Sequence, residues 1–131
     1  MRILFVCTAN ICRSRMAQEV FSILAWTIRG ADRKRHEARS AGTHPDPDGR
    51  ALTRGDLEWA DLVCVMEPAH EAFIRARFPL YGSKVRVLDI PDIYQPGDPV
   101  LREILATHIL GLLKGASPQE PRSSASSSTG A

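Results

Sequence analysis

Residues 2–6, Arg-Ile-Leu-Phe-Val, are an apolar run that ends in Cys7. This run and the stretch after it constrain the fold more than anything else in the chain. Ile3, Phe5 and Val6 are β-branched or aromatic, and no polar residue alternates with them. That is the pattern of a short strand covered on both faces in a parallel sheet. The period changes at Ser14. Ala17, Val20, Phe21, Leu24 and Ile28 then recur along one face of a helix that runs to about Ile28, with Gly30 as a stop signal. A buried strand that turns directly into an amphipathic helix is the opening half of a strand–helix–strand unit.

The remainder repeats the alternation. A second strand is expected near Glu37–Ser40, followed by a loop over 42–50, "GTHPDPDGR". Thr53 is placed to cap a short helix through Trp59. "ADLVCVME", 60–67, reads as the next buried strand, and Pro68 opens a helix to about Phe78. "KVRVLDI", 84–90, reads as a fourth strand. Asp98-Pro99 is an N-cap and first-turn pair for a last helix over about 99–113, with a stripe of Leu101, Ile104, Leu105, His108 and Leu112. Strands alternating with helices predict an α/β fold built on a four-stranded parallel sheet.

At 131 residues the chain is expected to form one domain, over 1–115. Residues 116–131 are Ser-rich, without aromatic or large aliphatic side chains, and read as a disordered tail. A net charge of +2 gives no general reason to bind nucleic acid. The local cluster Arg29, Arg33, Lys34, Arg35 and Arg39 is interrupted by Asp32 and Glu37, and reads as a solvated connection. No stretch approaches the ~20 apolar residues that span a bilayer, and no signal-peptide pattern follows Met1. Three cysteines without a repeated spacing do not make a disulfide framework. The chain reads as cytoplasmic, with reduced thiols. His36, His44, His70 and His108 lack metal-ligand spacing, so no metal and no cofactor are expected. Trp26 and Trp59 read as core or helix-surface residues, and Cys64 as a structural thiol within a strand.

Ligands of such sheets bind at the carboxyl ends of the strands, and Cys7 stands at one. The helix that follows offers free N–H groups and a dipole favourable to anions. The intervening loop contains no glycine, so it is neither a Walker A motif nor a dinucleotide fingerprint. It offers instead a thiol at the mouth of an anion site. The amides, the helix dipole and Arg13 all favour a thiolate there. Arg13 presents a planar fork to two phosphate oxygens. Ser14 can donate to the sulfur, and Asn10 tolerates a left-handed backbone. Cys7 by itself would be an ordinary buried thiol, half of a redox pair, or a nucleophile. Its neighbours Asn10, Arg13 and Ser14 favour the nucleophile.

"VCTANICRS" resembles the phosphate loop of the low-molecular-weight protein tyrosine phosphatases, C-x5-R-S with Asn and a second Cys inside. "SAGT" at 40–43 is similar to the segment after the second strand in that family. "DLEWADLVCVME" and "LDIPDIY" look like a short bacterial branch of predicted tyrosine phosphatases. The likeness covers about residues 1–113. It implies a three-layer sandwich with sheet order 2-1-3-4, helices on both faces, and a metal-independent two-step reaction. Cys7 would attack phosphorus and form a phosphocysteine. The loop residues Thr8, Ala9, Asn10, Ile11, Cys12, Arg13 and Ser14 would hold phosphate, or sulfate in its place. Ser40 would support the loop by bonding to Asn10, and Tyr94 would flank the cleft, where His44 is a further candidate. An aspartate would protonate the leaving oxygen and later activate water. Asp92 is the preferred acid and Asp89 the alternative, because Asp98 is better explained as a helix cap. Cys12 is a candidate redox partner that would protect Cys7 through a reversible disulfide.

The expected function is hydrolysis of phosphotyrosine or a related aryl phosphate by a monomer. The substrate would be a phosphorylated protein or a small aryl phosphate, with no nucleic-acid or membrane partner. Two other readings stay open: an arsenate reductase, which needs two further relay thiols, and a non-catalytic phosphate-binding module.

Overall fold

A computed structural model of the chain describes residues 1–29 and 36–114, apart from the side chains of 28 and 29. The expected stop at Gly30, the basic residues Arg33, Lys34 and Arg35, and the tail over 116–131 lie outside the described residues.

Four parallel strands form the sheet: β1 (Arg2–Cys7), β2 (Glu37–Gly42), β3 (Leu62–Val65) and β4 (Val85–Val87), in the order β2-β1-β3-β4. The helices are α1 (Arg13–Arg29), α2 (Arg54–Trp59), α3 (Pro68–Arg77) and α4 (Pro99–Lys114). The central strand β1 has no polar alternation because both its faces are covered. Ile3, Phe5 and Cys7 join Phe21 of α1 and Leu101, Leu105 and Ile109 of α4 on one side. Leu4 and Val6 join Leu57 of α2 and Ile74 of α3 on the other. Phe5 and Phe21 meet edge to face, with ring centroids 6.1 Å apart. Each fully buried Leu or Ile of this kind contributes about 1.5–3 kcal/mol, so α4 alone is anchored firmly by Leu101, Leu105, Ile109 and Leu113.

Several boundaries differ from the expectation, each for a local reason. The buried row of α4 steps through 101, 105, 109 and 113, which leaves His108 exposed. β3 is shorter than 60–67, because Ala60 closes α2 as its C-cap and Glu67 opens α3 as its N-cap. β4 is shorter than 84–90. A 3-10 turn over Pro79–Lys84 precedes it, and Asp89 has φ 64° at its far end, a left-handed conformation that no strand continues through. Trp26 is exposed on α1, whereas Trp59 is half-buried and stacks against Arg39, whose guanidinium carbon lies 4.2 Å from the ring centroid. Thr53 caps α2 as expected, its hydroxyl accepting from Asp56 N–H while the Asp56 carboxylate accepts from Thr53 N–H. Asp98 caps α4 by accepting from Val100 N–H at 2.8 Å.

Candidate active site

The loop between β1 and α1 is shaped by what its carbonyls do. Cys7, Thr8 and Ala9 carbonyls accept from the main-chain N–H groups of Thr43, His44 and Asp46. With its carbonyls turned outward, the loop turns its N–H side inward. Asn10 N–H accordingly donates to Cys7 Sγ at 3.3 Å. Asn10 has φ 59°, the left-handed conformation its short polar side chain tolerates.

A directed relay of hydrogen bonds ends on the same sulfur. Arg50 N–H donates to Asn10 Oδ1 at 2.8 Å, which leaves Asn10 Nδ2 as a donor. Nδ2 donates to Ser14 Oγ at 2.8 Å. Ser14 Oγ lies 3.0 Å from Cys7 Sγ, and toward a thiolate the hydroxyl is the only group of the two that can donate. Cys7, Asn10 and Ser14 are all buried, so this relay is not competing with bulk water.

Arg13, the first residue of α1, is 2 % exposed. Its Nη1 donates to Glu67 Oε2 and to the Ile90 carbonyl, both at 2.7 Å. Buried guanidinium needs such partners. The opposite edge, Nε and Nη2, carries no hydrogen bond among the described residues. Asp92 Oδ1 lies 3.8 Å from Nε, and its side chain is 69 % exposed. Asp89 is exposed as well, in its left-handed turn.

Two residues at this site, Glu67 and His70, carry no site role in the sequence alone. Glu67 N–H donates to His70 Nδ1 at 3.0 Å. The neutral ring then carries its proton on Nε2, which donates to Thr8 Oγ1 at 2.9 Å. Burial, with Arg13 nearby, holds the His70 pKa below its ordinary value. The sequence signal was there in part: Glu67-Pro68 followed by His70 has the spacing of a capping box.

Ser40 requires a correction. Its hydroxyl donates to Gln18 Oε1 at 2.7 Å rather than to Asn10. Gln18 of α1 reaches over the strand, and Arg50 N–H has already taken the Asn10 oxygen. Tyr94 is half-buried, and its carbonyl accepts from the Cys12 thiol at 3.6 Å. Burial, Cys7 and Asp92 push the Cys12 pKa up. Ile11 and Ala9 are half-buried at the rim, and Thr8 is exposed. His44 packs edge-on to Phe73 of α3, centroids 5.5 Å apart. Cys64 is fully buried in β3, its thiol pushed up to about 12 by burial.

The arrangement therefore offers a sulfur with two donors on it, an amide-lined turn at a helix start, a guanidinium with one open edge, and a carboxyl group beside that edge. It suits attack on a tetrahedral oxyanion.

Comparison with known proteins agrees. Residues 2–54 match the family described as low molecular weight phosphotyrosine protein phosphatase. A protein-arginine-phosphatase of Bacillus subtilis is 33 % identical over 109 residues, covering 67 % of this chain and 70 % of the relative. A low molecular weight protein tyrosine phosphatase from T. tengcongensis superposes with a TM-score of 0.73 at 26 % identity, covering 87 % of this chain and 98 % of that one. An arginine phosphatase mutant with a phosphorylated active-site serine superposes at 0.67 with 27 % identity, covering 87 % and 97 %.

Proposed function

This chain belongs to the low molecular weight phosphotyrosine protein phosphatase family and is a cysteine-dependent phosphatase, and on that premise we propose that it hydrolyses phosphotyrosine or a related aryl phosphate through a phosphocysteine on Cys7. The observation that carries the reading is the relay Arg50–Asn10–Ser14, which sets a hydroxyl 3.0 Å from a buried sulfur already met by an amide, placed to donate once that sulfur is a thiolate.

In the first step Cys7 Sγ, as thiolate, attacks phosphorus in line. The P–S bond forms as the P–O bond to the leaving group breaks. Loop amides and the Nε/Nη2 edge of Arg13 hold the three equatorial oxygens. Asp92 gives its proton to the leaving oxygen. Its support is its place 3.8 Å from Arg13 Nε, which Asp89 has no counterpart for. In the second step the Asp92 carboxylate takes a proton from water as that water attacks phosphorus. The P–S bond breaks, the thiolate returns, and inorganic phosphate leaves. Ser14 stabilises the sulfur in both directions. Half-buried Ile11 and the His44–Phe73 pair supply apolar surface for a ring beside the loop. Cys12, half-buried in the same loop, is the partner for a reversible disulfide: a peroxide oxidises the Cys7 thiolate to a sulfenic acid, and Cys12 sulfur then displaces its hydroxyl as water.

An arsenate reductase relay needs further mobile thiols. Among the described residues only Cys12 and Cys64 remain, and Cys64 is sealed in β3. A second substrate reading does have a specific support: two curated relatives are named protein-arginine-phosphatase.

The test is hydrolysis of a chromogenic aryl phosphate without added metal. Cys7→Ser is expected to lose at least about 10³-fold in kcat. Asp92→Ala is expected to lose about 10²–10⁴-fold, less for substrates whose leaving group needs no proton. Full activity in Cys7→Ser refutes the mechanism, and an impaired Asp89→Ala beside a normal Asp92→Ala reassigns the acid. Comparing kcat/KM for phosphotyrosine and phosphoarginine peptides decides the substrate.

A further inference from the structure

Arg15 of α1, Arg39 of β2 and Arg50 of the loop before α2 line one open cavity of about 350 Å³, together with Asn10, Gln18 and Ser40. Arg39 and Ser40 bring to it β2, the end strand of the sheet. Guanidinium groups repel one another, so three around one space call for an explanation. Asp56 supplies part of it. Its buried carboxylate pairs with Arg50 Nη2 at 3.0 Å and Arg39 Nη1 at 3.4 Å. Burial works against its charge, but hydrogen bonds from Arg50 and Thr53 hold its pKa below the usual range, so it stays ionised. Arg15 differs: its Nη2 meets the Asp48 carbonyl oxygen, and it forms no ion pair among the described residues. Three guanidiniums against one carboxylate leave two positive charges over a cavity whose lining contains no acid. Asp46 and Asp48 stand outside it, in the exposed loop.

A bland reading is that these arginines only shield the sheet edge. One of them does so, since Arg50 Nε donates to the Ser40 carbonyl at 3.1 Å. Arg39 is placed by Trp59 and Asp56, while Arg15, on α1, makes no hydrogen bond to the β2 main chain and no ion pair among the described residues.

We propose that this cavity, which meets the Cys7 loop only at Asn10, is a second anion site that takes a small phosphorylated molecule carrying at least two negative charges. The volume exceeds that of a phosphoryl group and leaves room for what it is attached to. Arg guanidiniums match such oxygens in pairs. The site is also mechanically close to the loop. Arg50 lines it with its side chain while its main-chain N–H fixes Asn10, so an anion held there braces the catalytic loop from behind.

Inorganic pyrophosphate is the probe, read by titration calorimetry on the full chain. The native protein is expected to bind two equivalents and Arg13→Ala one. Arg15→Gln/Arg39→Gln is expected to keep the Arg13-dependent equivalent and weaken the other at least about tenfold, some 1.4 kcal/mol. If the double variant is poorly folded, Arg15→Gln alone is used, with amide NMR shifts at Gln18 and Ser40 as the second readout in Arg13→Ala. The proposal is overturned if Arg13→Ala binds no pyrophosphate, if those amides do not move, or if loss of Arg15 and Arg39 leaves both equivalents unchanged. These results stand whether or not Cys7 proves to be the nucleophile, which hydrolysis by Cys7→Ser tests separately.

Discussion

The carboxyl ends of β1 and β3 both turn into helices, and the two neighbouring junctions close in opposite ways. After β1, a loop of amides precedes Arg13 and nothing from the loop's own side chains blocks the helix start. After β3, Glu67 and His70 cap their own helix, each side chain taking a main-chain N–H of the other. The same architecture thus gives one open anion site and one sealed turn. The sealed turn still serves the open one: Glu67 holds Arg13, and His70 holds Thr8. What distinguishes a site from a plain connection here is which groups are left without a protein partner, not the topology that presents them.

Breaking the open junction has the larger expected effect. Asn10→Ala removes the relay to Ser14 and puts at φ 59° a residue without the polar side chain that eases this conformation, a backbone cost below the about 1–2 kcal/mol of an L-residue there. Lost hydrogen bonds add about 1 kcal/mol each. Aryl phosphatase kcat is expected to fall about 10²-fold, with a lower midpoint in urea denaturation; normal kcat would show that the relay does not matter. Glu67→Gln tests whether the sealed junction serves the open one. It keeps the cap's oxygen but removes the charge opposite Arg13, and an approximately tenfold loss in kcat/KM is expected. An unchanged value would make the two junctions independent.

The smallest effect concerns pH. The folded His70 pKa lies below its unfolded value, so below about pH 6.5 the unfolded chain binds a proton the folded one resists. Stability therefore rises with pH through the window between the folded value and about 6.5, and is lost on acidification through it. A protonated ring also cannot accept the Glu67 N–H. His70→Gln is expected to flatten this part of the stability profile, measured by thermal melts between about pH 5 and pH 7; an unaltered slope assigns the acid sensitivity elsewhere.

The contrast between the junctions also explains what could be read in advance. Cys7, Asn10, Arg13 and Ser14 lie within eight residues, so spacing alone brings them together. The strand of 2–6 and the two-faced core around it follow from an unbroken apolar run. The partners of the loop are another matter. Glu67, His70 and Ile90 lie 54, 62 and 77 residues beyond their partners in the loop, and hydrogen bonds across such separations leave no periodic trace. Ser40 shows the same limit: the segment was placed correctly beside the loop, but a competing reach by Gln18 decided its bond. In α4, His108 fits a helical stripe as well as Ile109 does, and only the packing against α1 selects between them.

Gly42 and Gly49 carry a consequence for how the site comes into being. A Cβ at Gly42 would collide with the Thr8 carbonyl oxygen, and one at Gly49 with that of Ala9. The segment 42–50 lies directly on the loop, supplying the N–H groups that turn its carbonyls outward and the one that holds Asn10. The eight-residue signature is therefore not a self-contained device. A fragment ending at residue 29 carries the sulfur, the guanidinium and the bonds among Cys7, Asn10 and Ser14, but none of the N–H groups that hold the loop's carbonyls outward. The enzyme acquires its anion cup only when a stretch made some thirty residues later docks on it, so chemical competence arrives with tertiary closure and not with the first helix.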